Sequence, residues 1–219
     1  RCVTSIKAGC QGLVIEGCLF NAGVTDPPRT VIGFNVNAND AKIRNNRSAY
    51  LAHFGIFAGG SHMVIGNHLF PDANGSPSMM RAGFIFTTPN VRGFVLGNYI
   101  DHHFIELSNE YDENPNAGAS YTFGGLTITG NLFLYAEASP AFRFLTISPK
   151  GSGHSLNGLV VSNNVFRSSQ VSIDRVEMVD SSNGTLNTAS FRNVVFENNT
   201  FTGVAQATLS PVYVEHTQN

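Results

Sequence analysis

Tryptophan is absent from this chain of 219 residues, and charge is scarce, charged side chains making up 13% of it. Without an indole, the usual platform for stacking a sugar ring is missing, so any such role falls to Tyr or Phe. The 13 Lys and Arg are scattered and the formal net charge is −2, which leaves no basic footprint for a nucleic acid. No run of about 18 apolar residues is present to cross a bilayer, so no membrane span is expected. Cysteine is limited to Cys2, Cys10 and Cys18, spaced eight apart. That spacing fits no zinc signature and leaves one thiol over if two join; the simplest expectation is thiols packed as small apolar groups. Histidines and carboxylates show no spaced ligand motif, so neither a metal nor another cofactor is expected. The chain opens at Arg1 without a recognisable signal peptide. The expected organisation is one domain over 1–219, as a piece of a longer protein.

Gly is plentiful at 22 residues, and Asn, Ser and Thr are common. This composition suits short strands and tight turns better than helices. One eight-residue pattern recurs without gaps: LVIEGCLF from Leu13, AKIRNNRS from Ala41, MVIGNHLF from Met63, FVLGNYID from Phe94, LTITGNLF from Leu126, LVVSNNVF from Leu159 and VVFENNTF from Val194. The starts are 28, 22, 31, 32, 33 and 35 residues apart, enough for several short strands per unit. Such a repeat is the signature of a solenoid.

Positions one and three are apolar in every copy, as in a strand with one buried face, and position two points outward. A residue that tolerates positive φ precedes the strand in six copies (Gly12, Asp40, Gly93, Gly125, Gly158 and Asn193), and His62 is the exception. Position six is Asn46, Asn131, Asn164 and Asn199; position eight is Phe20, Phe70, Phe133, Phe166 and Phe201. Stacked coil upon coil, these predict an Asn ladder at an inside corner and a Phe stack in the core. A second strand recurs near Val31, Phe54, Ala82, Phe104, Phe142, Arg175 and Val212. The expected fold class is all-β, a single-stranded parallel β-helix of about seven coils.

Repeated and preceded by Gly, the pattern apolar-Val-Ile-x-Asn/Gly-Asn-x-Phe resembles the right-handed parallel β-helix superfamily of pectate lyases, polygalacturonases, alginate epimerases and bacteriophage tailspikes. The resemblance covers about 12–215 and rests on residues that make coils stack, so it bears on fold more than on activity. It implies right-handed winding, an outer groove for any chemistry, and a polysaccharide partner met outside a cell, at its surface or on a phage. The Asn-Thr-Asp segment of polygalacturonases is absent, as is the Arg-bearing strand end of a pectate lyase. No catalytic residue therefore carries over.

The segment 101–113, DHHFIELSNEYDE, concentrates chemistry. Asp101 stands where five other copies have Phe, a local rule broken in the way functional sites break them. Aligning FIEL over FLTI over RVEM puts Glu106, Thr146 and Glu177 in one outward column, with His103, Arg143 and Asp174 beside it. Glu106 and Glu177, two coils apart, stand about 10 Å from each other, at the wide end of the carboxylate spacing of inverting glycosidases. The catalytic candidates are thus Asp101, His103, Glu106, Arg143, Asp174 and Glu177. Tyr111, Asp112 and Tyr121, in a long polar loop, form the expected wall of a binding cleft, with Arg175 as a further substrate-binding residue. The same groups also suit a plain solvated face.

Two functions follow as expectations. One is a carbohydrate-active β-helix of lyase or glycoside hydrolase type; the other is a non-catalytic shaft, as in an adhesin or phage tail. Position two bears on the second. Its column, Val14, Lys42, Val64, Val95, Thr127, Val160 and Val195, has five valines in seven. Such a stripe is expected to be covered, by the chain's own loops or by identical neighbours in a homo-oligomer.

Overall fold

A computed structural model describes residues 2–21, 32–49, 51, 53–58, 60–70, 81–86, 92–108, 125–135, 143–148, 155–168, 175–179, 190–202 and 212–215, some of them by backbone alone. The described residues hold 24 strands and no helix. Numbered in chain order, they fall into three long parallel sheets. Sheet A takes β1 (Cys2–Gln11), β4 (Ile32–Asn39), β7 (His53–Ala58), β10 (Arg81–Phe86), β13 (His103–Ser108), β16 (Arg143–Ser148), β20 (Arg175–Val179) and β24 (Val212–Glu215). Sheet B takes β2 (Val14–Glu16), β5 (Lys42–Arg44), β8 (His62–Ile65), β11 (Gly93–Leu96), β14 (Leu126–Thr129), β18 (Val160–Ser162) and β22 (Val195–Glu197). Sheet C takes β3 (Leu19–Asn21), β6 (Arg47–Ala49), β9 (His68–Leu69), β12 (Tyr99–Asp101), β15 (Leu132–Tyr135), β19 (Val165–Ser168) and β23 (Thr200–Thr202). A short pair, β17 (Ser155–Asn157) and β21 (Ser190–Arg192), completes the set.

The chain visits sheets A, B and C in turn and then repeats, which is a parallel β-helix. The expectation of about seven coils needs restating. As near-continuous described turns the helix runs for about three, over 2–21, 32–49 and 53–70 without 59; beyond these, the described residues give its strands rather than whole turns.

Between sheets B and C the backbone turns on one left-handed residue: Gly17, Asn45, Gly66, Gly97, Gly130, Asn163 or Asn198, each with φ between 53° and 67°. Gly and Asn are the residues that tolerate this region best. The residue after it is Asn46, Asn67, Asn98, Asn131, Asn164 or Asn199, and these form the ladder. Asn131 shows the pattern: its Nδ2 donates to Asn164 Oδ1 and to Val95 O, both at 2.9 Å. Its Oδ1 accepts from the backbone N–H and the Nδ2 of Asn98, again at 2.9 Å. At the first coil Cys18 takes the ladder place: its backbone N–H donates to Asn46 Oδ1, while its Sγ donates to Glu16 O within the same coil. Its side chain is exposed, against the expectation of a buried thiol, while the side chains of Cys2 and Cys10 lie outside the described residues.

Counting back from the ladder corrects the repeat in two copies. Strand pairing sets Lys42 beside Met63, Met63 beside Phe94 and Phe94 beside Thr127. The third and fourth copies therefore begin one residue earlier, at His62 and Gly93, and a one-residue slip moves every side chain to the opposite face. Val64 and Val95 are fully buried with Ile43 and Ile128, and the outward slots belong to Met63 and Phe94. The inward slot of sheet C reads Phe20, Ser48, Leu69, Ile100, Phe133, Phe166 and Phe201. Phe70 is thus not in the Phe stack, and Asp101 does not replace a Phe, because buried Ile100 fills that place. Ser61, with φ 61°, is the positive-φ residue before β8, which moves the exception from His62 to Arg92, since Gly93 now opens the fourth copy.

Packing follows from these columns. Phe133, Phe166 and Phe201 stack with centroids 4.8 and 4.9 Å apart, the strand spacing. Toward the N-terminal end, Phe20, Phe34, Phe54 and Phe57 meet edge-on or tilted instead.

Candidate functional site

Sheet A carries five of the six expected site residues that are described. Its registers pair Glu106 with Thr146 and Thr146 with Glu177, so the three share one column, as the alignment anticipates. That face is not simply solvated: Glu106 is only 5% exposed, and Ile56, Ala82 and Ile85 form a second buried apolar cluster on the same side. His103 departs from the expectation. It lies on the same side of β13 as the core residues Ile105 and Leu107 and is buried; its Cβ would lie 2.9 Å from a Cβ at Gly83, where Leu69 also closes in. It faces the interior and is no neighbour of an outer groove. Arg143, Arg175 and Glu177 are placed by backbone on β16 and β20. Asp174, Tyr111, Asp112 and Tyr121 lie outside the described residues.

Asp101 leads to a different place. It stands on the outer face of sheet C, where positions on either side of the buried slot alternate outward. One outward column runs Arg47, His68, Tyr99; beside it Phe70 and Asp101 follow one another. Three consecutive short strands thus bring together five side chains that are scattered from 47 to 101 in sequence, over about 10 Å along the helix axis. The Arg47 guanidinium lies 5.2 Å over the Phe70 ring. His68 is wedged between aromatic neighbours, its ring centroid 3.9 Å from that of Phe70 and 4.2 Å from that of Tyr99. Tyr99 hydrogen-bonds Asp101. On its other side Asp101 meets His102 Nδ1 at 2.5 Å, and His102 is itself held in the left-handed region at φ 55°.

The electrostatics follow from this packing. Burial pushes the His68 imidazole below its ordinary pKa, the Arg47 charge adds to the effect, and Asp101 partly opposes it. At neutral pH the ring is neutral. Tyr99 is raised above its ordinary value, first by burial, then by the Asp101 charge and the hydrogen bond to it, so its hydroxyl stays protonated. Arg47 has no carboxylate partner among the described residues. The cluster therefore offers a guanidinium at one end, a short aromatic row in the middle and a carboxylate engaged from two sides at the other. Such a set can stack on a ring, donate hydrogen bonds and hold an acceptor. Asp101, already hydrogen-bonded to two neighbours, is poorly placed to act as a free base.

Asp101 thus drew attention for a reason the structure overturns, yet it lies beside Arg47, His68, Phe70 and Tyr99 on one outer face. Arg47, His68 and Phe70 were missed as site residues; Tyr99 stood among the tyrosines able to stack on a sugar ring, but nothing in the sequence joined it to the other three. The signal that finds them is the outward column of sheet C, which becomes legible only once the copies are aligned on their left-handed residue. No family model matches the chain, and neither a curated protein nor a solved structure is similar enough to match it.

Proposed function

We propose that this chain is a carbohydrate-binding β-helix that holds an extracellular polysaccharide against the outer face of sheet C. The observation that carries the reading is the row of Arg47, Phe70, His68, Tyr99 and Asp101 on three successive strands. The Phe70, His68 and Tyr99 rings, with centroids 3.9 and 4.2 Å apart, offer an aromatic surface for the apolar face of a sugar ring, and the guanidinium and carboxylate at its two ends suit polar groups of the ligand. If the chain also cleaves its ligand as a lyase or glycoside hydrolase, the column of Glu106 and Glu177 on sheet A remains the place to look. Binding is favoured over turnover because Asp101 is tied up by Tyr99 and His102. The ligand's expected source is a cell surface or extracellular matrix.

A panel of immobilised polysaccharides tests this, scoring retention of the protein and release of shortened or unsaturated products. At least one polysaccharide should retain the wild type, and Tyr99→Ala or Phe70→Ala should abolish retention while leaving the melting temperature within a degree or two. No retention on any member sinks the reading. The alternative, a non-catalytic shaft, gains support from one observation, the large apolar side chains exposed on the outer face of sheet B.

A further inference from the structure

The corner that leads from sheet A into sheet B calls for a residue with positive φ, and ahead of β18 that residue is Gly158, at φ 88°. Asn157, the last residue of β17, precedes it, so the turn leaves an Asn-Gly sequence at the surface. Asn157 is exposed and its Oδ1 accepts from Asn193 Nδ2 at 2.9 Å, while nothing among the described residues holds its own Nδ2. The strand that carries it is three residues long and pairs only with β21 among the described residues. A two-stranded pair of this length is marginal, and its end opens at little cost.

We propose that Asn157 is a site of spontaneous deamidation, in which the backbone nitrogen of Gly158 closes on the Asn157 side chain. Gly158 N attacks Asn157 Cγ and gives up its proton, a five-membered imide forms, and Nδ2 leaves as ammonia. Water then opens the ring. Addition at the side-chain carbonyl gives aspartate; addition at the main-chain carbonyl gives isoaspartate, in which the chain runs through Cγ. Water is the one co-reactant. Gly158 has no Cβ to crowd the attacking nitrogen. The Asn193 N–H on Oδ1 meets the oxyanion of the intermediate, and the unheld Nδ2 is free to depart.

The chain carries its own controls. The six Asn of the ladder are closed to this chemistry twice over: each Nδ2 donates to a backbone carbonyl of the preceding coil, and so does the N–H of the residue that follows. Asn39 is the closer comparison. It holds the same place at the corner in the second coil, is exposed, and accepts at Oδ1 from the Gly60 N–H at 3.2 Å, but Asp40 follows it. A side chain there crowds the nitrogen, and its carboxylate opposes loss of the N–H proton. The other Asn-Gly sequences, Asn74-Gly75 and Asn183-Gly184, lie outside the described residues. Isoaspartate at 157 adds a methylene to the main chain and so breaks the register of Asn157 with Arg192 on β21.

Incubating the folded chain in mildly alkaline buffer made with heavy-oxygen water, then mapping its peptides by mass spectrometry, tests the proposal. Aspartate and isoaspartate should appear together at 157, each carrying a solvent oxygen, and faster as the pH rises. Asn39 and the ladder should stay intact over the interval in which Asn157 is consumed. Asp40 has φ 56°, which glycine adopts freely, so Asp40→Gly should fold and should turn Asn39 into a second site. If Asn157 stays intact in the folded chain while the same chain in denaturant converts it, the strand protects the residue and the proposal falls. Aspartate without isoaspartate would mean direct hydrolysis rather than attack by Gly158, which overturns it too. So does an Asn39 that remains inert in the Asp40→Gly variant.

Discussion

The corner between sheets B and C and the outer face of sheet C are built from the same stretches of chain, yet they obey opposite rules. At the corner, six Asn make the same contacts one above another, each Nδ2 donating to a backbone carbonyl of the preceding coil. A residue or two away, the outward column reads Arg47, His68, Tyr99, Leu132, with no two alike. An inside residue meets its counterparts above and below, so one solution that satisfies both neighbours is copied through the stack. An outside residue meets solvent and whatever comes from it. In a solenoid, function is therefore best sought in columns that fail to repeat.

The sharpest way to break this comparison is to interrupt the copying. Asn131→Ala removes the acceptor of two buried donors of Asn98 and leaves Val95 O and Asn164 Oδ1 each short of a donor. With about 1–3 kcal/mol for each buried polar group left unmatched, the variant should lose ~4 kcal/mol in denaturant unfolding. Asn199, half-buried at the last described rung, should cost ~1 kcal/mol on the same change. Equal losses at the two sites would show that burial does not set the strength of the ladder.

Two glycines sharpen it next, one under steric demand and one under conformational demand. A Cβ on Gly93 would fall 1.8 Å from His62 O, so Gly93→Ala must displace backbone and should cost ~3 kcal/mol. Gly97 has φ 63° and nothing within 4 Å of such a Cβ, and other coils place Asn at the same turn. Gly97→Ala should cost only ~1 kcal/mol, the strain of a left-handed alanine. Thermal unfolding of both variants checks the order.

The inside rules are also what made the fold readable. Four of the six ladder Asn, most of the Phe stack and every later strand of sheet A show in the sequence because each satisfies identical neighbours. The third and fourth copies misled for a physical reason: MVI and FVL are apolar at three consecutive positions, so alternation alone cannot choose between two registers one residue apart. The turn chemistry decides, since Gly66 and Gly97 do there what Asn45 and Asn163 do elsewhere. Asn67 and Asn98 then fall into the ladder, and Asp101 moves out of the core. The cluster around His68 was illegible for the complementary reason. Its members share a face only through strand pairing between coils, and no motif spans their spacing.

The smallest expected effect belongs to that outer face and separates it from the corner by pH. The Asn ladder does not titrate, whereas His68 has a folded-state pKa below its ordinary value, because burial and the Arg47 charge disfavour the imidazolium. The unfolded chain therefore binds the proton more readily. The stability that His68 contributes is complete above the unfolded pKa near 6.5 and is lost as pH falls through the folded one. Acidification from pH 7.5 toward 5 should lower the melting temperature by an increment that His68→Gln removes. Arg47→Gln should shrink the same increment, since it withdraws a charge that opposes protonation. Asp101→Asn should enlarge it, since Asp101 alone among the three causes favours the charged ring. A pH profile unchanged by all three substitutions would mean that the cluster does not couple to folding, and that the face differs from the corner only in its side chains.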